Sequence, residues 1–199
     1  MLHHIWGMMS HPHEEWDRIN GEIRDHGHDY LWHLTVLAAI PGAASFIGAT
    51  EVGWSLTGLD PVKLTMASAL FMSVVSYFAI IGAIIVMGIF AHWMAKTFGS
   101  NPSYQRCIIF SAYVATPLYF CGLLALYPSL PLTLFGIIAG IGYATYLLFI
   151  GMPHVMGIPF ERGFMFASAL ACAGLVLLVC MKVGSAIFWQ FGGGPVFLS

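Results

Sequence analysis

The stretch "LTMASALFMSVVSYFAIIGAIIVMGIFAHWM", Leu64 to Met94, contains no Asp, Glu, Lys or Arg. A helix needs about 20 mostly apolar residues to cross a bilayer, so this run crosses with length to spare for tilt or for reaching into the headgroups. Working outward from it, four more segments qualify: Leu31 to Thr50, Cys107 to Tyr127, Leu130 to Ile150 and Phe164 to Trp189. Turn-forming punctuation separates them, in "TGLDP", "GSNPS", "YPSLP" and "MPHVMGIP". Only "YPSLP" is short enough to mark a tight helical hairpin. The pattern implies an all-α, polytopic membrane protein. Residues 1–30 form a cytoplasmic N-terminal segment, 31–191 a five-helix transmembrane domain, and 192–199 a short tail expected to be flexible.

Composition agrees. Of 199 residues, 59% are hydrophobic and 8% charged, against about 25% charged in a soluble domain. The formal net charge of −2 leaves no basic patch for nucleic acid. The first thirty residues carry six acids and no continuous apolar core, unlike a secretory signal. Cys107, Cys121, Cys172 and Cys180 form no CxxC pair and read as small reduced core residues.

Trp32, Trp54, Trp93 and Trp189 fall at or beside the proposed boundaries, as expected of an interfacial belt. With the N-terminus inside, Arg18, Arg24, Lys96, Arg106 and Arg162 are cytoplasmic, against Lys63 and Lys182 outside. That asymmetry favours a cytoplasmic N-terminus and a periplasmic C-terminus. Ahead of the first span, "SHPHEEWDRINGEIR" reads as a helix with Ser10 as its cap and Pro12 in its first turn. Trp16, Ile19 and Ile23 recur at i, i+3 and i+7 as a narrow apolar stripe. That stripe can lie in the membrane interface or pack on the protein's own loops.

Three pieces of sequence, in order, carry a resemblance. "SHPHEEWDRI" precedes the first span, "SAYVATPLY" sits in the third, and "YATYLLFIGMP" closes the fourth. From roughly Ile5 through Trp189 the chain resembles the Yip family (Ypt/Rab-interacting proteins), specifically its bacterial inner-membrane branch. The resemblance implies five spans in the inner membrane. For eukaryotic members it implies small-GTPase binding and membrane trafficking, but the acidic-aromatic-Gly-Pro motif of that branch is missing here. For bacterial members it implies a fold and a location, and no activity.

The polar residues offer a second line of argument. In "RDHGHDYLWH", His26, Asp29 and His33 fall at i, i+3 and i+7 and share one helix face. With His92 or His154 approaching from the same membrane face, they form a candidate site for a divalent transition metal such as zinc or nickel. The same stretch also reads as a polar and aromatic membrane anchor. In the third span, Pro117 frees the carbonyl of Tyr113 and predicts a kink there. Tyr113 and Thr116 can satisfy the loosened backbone or hydrogen-bond a neighbour. In the fourth, Gly136, Gly140 and Ala144 repeat every four residues and allow a close helix contact, internal or in a homodimer. Lys182 is expected to snorkel to the headgroups, with Glu51 as a partner at similar depth.

No carboxylate lies in mid-span, which argues against ion-coupled transport. No nucleophile turn, P-loop or dinucleotide fingerprint is present. The expected function is therefore non-enzymatic: contacts with membrane lipid or an unknown protein partner, with Trp16, Ile19 and the kink as partner-facing elements and a homodimer as one form. A metal-binding protein or facilitated transporter is the alternative.

Overall fold

The computed structural model describes residues 2–25, 29–53 and 61–197. Two N-terminal helices, α1 (Leu2–Ser10) and α2 (Pro12–Asp25), precede the bundle. The first span is α3 (Asp29–Ile47), which continues as a wider turn over Gly48–Val52, and the second is α4 (Met66–Thr97). The third is broken into α5 (Tyr104–Val114) and α6 (Thr116–Cys121), the latter extended by a tight turn over Gly122–Leu126. The fourth and fifth are α7 (Leu130–Met156) and α8 (Phe160–Phe188). Four of these spans are long and apolar enough to cross a membrane alone, and the broken pair, bent by 41°, makes a fifth. Apart from isolated bridge residues, Leu64 with Phe197 among them, the described residues form no β-strand.

The broken span is the most enclosed. It packs on α3, α4 and α7, while α8 packs on α4 and α7. Small residues let backbones approach where the span turns away from the straight path. A Cβ on Gly122 would lie 2.7 Å from Pro41, and one on Gly48 would lie 1.9 Å from the Ala125 carbonyl oxygen. The break falls at Ala115, two residues before Pro117, whose ring sits in the first turn of α6. The expected kink is thus a change of helix, because Pro117 is tolerated where a helix starts.

Several boundaries differ from the sequence reading for identifiable reasons. α7 continues through Pro153 and ends at Gly157, whose φ of +65° closes the helix in the left-handed region. Core packing of Met152, Val155 and Met156 outweighs the proline's missing bond. His154 therefore belongs to the last turn of α7 and not to a loop. Ser10 does not cap α2. Its hydroxyl donates to the Trp6 carbonyl at 2.8 Å and so belongs to the end of α1. Nor is the tail loose as far as Phe197: the Val196 carbonyl accepts from Thr65 N at 2.8 Å, and Val196 N donates to Ser68 Oγ at 3.1 Å.

The largest packed core lies at the end of the bundle that carries α1 and α2. The stripe on α2 is its centre: Trp16 and Ile19 are fully buried, and Ile23 packs on the same cluster. On α1, by contrast, Trp6 is 76% exposed and Met9 is also open. The Tyr143 hydroxyl, on α7, donates to the Met8 carbonyl at 2.9 Å and holds α1 beside the bundle.

Candidate functional site

Trp16 enters the bundle from α2 because α7 offers it a place without a side chain. A Cβ on Gly151 would lie 2.3 Å from the indole Cε2. Phe110 and Tyr113 of α5 complete the socket, with ring centroids 5.2 and 6.3 Å from the indole, Tyr113 edge-on. Edge-to-face and tilted pairs of this kind add about 0.5–1.5 kcal/mol to simple burial. The three stretches "SHPHEEWDRI", "SAYVATPLY" and "YATYLLFIGMP" thus meet at one point, through Trp16, Tyr113 and Gly151. Trp16 and Ile19, expected to face a partner, face the chain's own core, where Gly151 leaves room for the indole.

Around the socket, polar groups tie the N-terminal helices down. His154 Nδ1 lies 2.6 Å from Asp17 Oδ1, and the rings of His13 and His154 meet edge-on at 6.1 Å. Arg106 Nη2 donates to Asn20 Oδ1 at 2.5 Å. Ser100, in the α4–α5 turn, donates to the Met156 carbonyl and ties that turn to the end of α7. Glu15 is buried beside Gly7, with Arg18 Nη1 3.7 Å from its carboxylate.

The histidine expectation divides. His26 lies outside the described residues, as do the side chains of Asp29 and His33, which occupy the first two turns of α3. His92 is buried, with its Nδ1–H donated to the Pro102 carbonyl at 2.8 Å and its ring against Tyr104 at 3.7 Å. His154 is held by Asp17. These two are committed to different partners. Among the described residues, no three His, Cys, Asp or Glu are grouped to hold a metal ion.

The bend and the glycine stripe have clear places. Thr116 is fully buried, and its hydroxyl reaches the Ala112 carbonyl at 3.5 Å, bracing the break. Cβ atoms on Gly136 and Gly140 would press on Leu124 and on Cys121 and Leu118, so this stripe of α7 seats α6 and its extension. This stripe is an internal contact. Cys107 is buried, but Cys172 and Cys180 are exposed on α8 and are not core residues. Glu51 and Lys182 are both exposed and, among the described residues, form no ion pair with each other.

Beside the bend lies a cavity of about 140 Å³, bounded by α4, the broken span, α7 and α8. Ala115, the residue at the break, lines it, with Leu118, Ile141, Leu175 and Leu178. Its hydroxyl-bearing lining residues are Ser111 and Thr145, and Thr145 already donates to the Ile141 carbonyl at 2.8 Å. Its lining is almost wholly apolar and suits an apolar guest. Sequence reasoning missed both the cavity and the Gly151 socket. The cavity face of α8 is legible as Ala171, Leu175 and Leu178 at i, i+4 and i+7, but a uniformly apolar helix gives no contrast to pick it out.

A multi-pass, all-helical bundle with a docked N-terminal helix pair defines the class, and the comparisons place it. The model of the Yip1 domain matches residues 6–181, and the chain belongs to that family of membrane proteins. Among its relatives is the inner membrane protein YohC of Escherichia coli K12, 36% identical over 192 residues, covering 96% of this chain and 98% of the relative. YohC of E. coli O6:H1 strain CFT073 matches to the same extent. No solved structure matches the chain.

Proposed function

We propose that this protein resides in the bacterial inner membrane, N-terminus inside and C-terminus in the periplasm, and acts without catalysis through contacts with lipid or a protein partner. Its relationship to YohC supports the location. The orientation is supported by Arg18, Lys96, Arg106 and Arg162, which lie at the bundle end that carries α1 and α2, with Lys63 and Lys182 toward the other. A phosphatase fusion at the C-terminus should be active and one at the N-terminus inactive; the reverse would overturn the orientation.

The observation that carries the contact function is the breadth of apolar surface left open on the spans. Phe71 and Phe78 on α4, Phe135 and Ile138 on α7, and Val176 and Val179 on α8 are all exposed. Photocrosslinking residues at Phe78, Ile138 and Val176 in native membranes test it. The expected result is a discrete, saturable adduct whose identity depends on position. Uniform labelling of bulk lipid at all three would count against a specific contact. Tag-free protein carrying stoichiometric zinc or nickel, lost in a His26→Ala/His33→Ala variant, would replace this reading with a metal-binding one.

A further inference from the structure

We infer that the cavity beside the bend is the seat of one phospholipid acyl chain, drawn from the leaflet on the C-terminal side, with Lys182 holding the phosphate. This deepens the contact function by naming a ligand for one surface.

The first argument is length. The cavity's lining on α8 runs from Leu170 to Met181, a rise of about 16 Å at 1.5 Å per residue. A hydrocarbon core of about 30 Å gives each leaflet's chains about 15 Å. The lining on α8 therefore spans about the length of one acyl chain.

Direction follows from burial. At the end nearer α2 the cavity is closed by Phe110, Leu148 and Leu170, all members of the packed core. At the other end α7 and α8 leave Leu134, Ile138, Val179 and Val183 exposed. The open end admits a chain methyl end first, with its headgroup left on that side.

Charge supplies the third argument. Lys182 continues the cavity face of α8, following Ala171, Leu175 and Leu178 at i, i+4, i+7 and i+11. It is exposed and makes no ion pair among the described residues. It sits six residues before Phe188 at the end of α8, about 9 Å inside by helix rise. An ammonium at that depth reaches outward to the headgroups, where the phosphate of a lipid whose tail fills the cavity meets it.

The test uses full-length protein in detergent, delipidated and titrated with palmitoyl-oleoyl phosphatidylglycerol and read by native mass spectrometry. Wild type should bind one lipid tightly. Ala171→Phe, which fills the cavity, should lower that affinity at least tenfold, and Lys182→Ala several-fold. Soluble glycerol phosphate should not compete. Undiminished binding by both variants, or competition by glycerol phosphate, overturns the proposal. Because Ala171→Phe can disturb folding, wild type is also reconstituted with a phospholipid carrying a diazirine near its chain end. Adducts at Phe110, Leu148 or Leu170, at the closed end of the cavity, are expected; adducts confined to outward positions such as Val176 and Val179 overturn it. If the cavity fails while the crosslinks at Phe78 or Ile138 still yield a discrete adduct, the contact function stands without this ligand.

Discussion

Where α2 meets the bundle, Trp16, Phe110, Tyr113 and Met152 are sealed from solvent, whereas on the far side of the same helices Phe135 and Ile138 of α7 and Val179 of α8 stay mostly open. The difference reflects the solvent each end must satisfy. α2 is polar on its outer face and stands at the edge of water, so its apolar stripe needs a protein socket. The far half of the α7–α8 pair stands in hydrocarbon, where a neighbouring lipid tail serves as well as a leucine. One half of the molecule is therefore closed by its own chain and the other by the membrane.

Substitutions should feel that division. Trp16→Ala empties the socket, and large-to-small changes of aromatic core residues cost about 3–5 kcal/mol. It should release α2 from the bundle, read as lost amide protection across Glu14–Ile23, while the five spans stay folded. Gly151→Ala presses on the same indole from the other side. Overpacking of this kind costs about 1–3 kcal/mol, and a lowered melting temperature in nanodiscs checks it. Asp17→Asn removes the charge while keeping an oxygen that can accept from His154; the Asp17 side chain is 69% exposed, so screening limits the loss to about 0–1 kcal/mol. Ile138→Ala, on the lipid-facing side, should change thermal stability by no more than about 0.5 kcal/mol. A loss at Ile138 as large as that at Trp16 would erase the comparison, because it would mean the open side is a second protein core.

Much of this plan is legible in the amino-acid order. Uncharged runs as long as Leu64–Met94 have one stable arrangement in a membrane, and Pro117 marks the break to within two residues. The stripe Trp16–Ile19–Ile23 is legible as apolar, but not what it covers. An isolated helix presents the same face to a partner, a bilayer or its own bundle, and only Gly151, 135 positions away from Trp16, decides between them. His92 and His154 read as ligands for a related reason: their partners, Pro102 and Asp17, are ordinary residues with no signature. Pro153 misled in the other direction, since its intrinsic tendency to end a helix is weaker than the core contacts of Met152, Val155 and Met156.

Hydrogen–deuterium exchange of wild-type protein in lipid nanodiscs, compared with Trp16→Ala, tests the closed end most directly. The expected result is slow exchange across Glu14–Ile23 in wild type and fast exchange in the variant, with α4 and α8 unchanged. Fast exchange across Glu14–Ile23 in wild type would contradict the account, because α2 would then lie free of the bundle and Trp16 would be available to a partner after all.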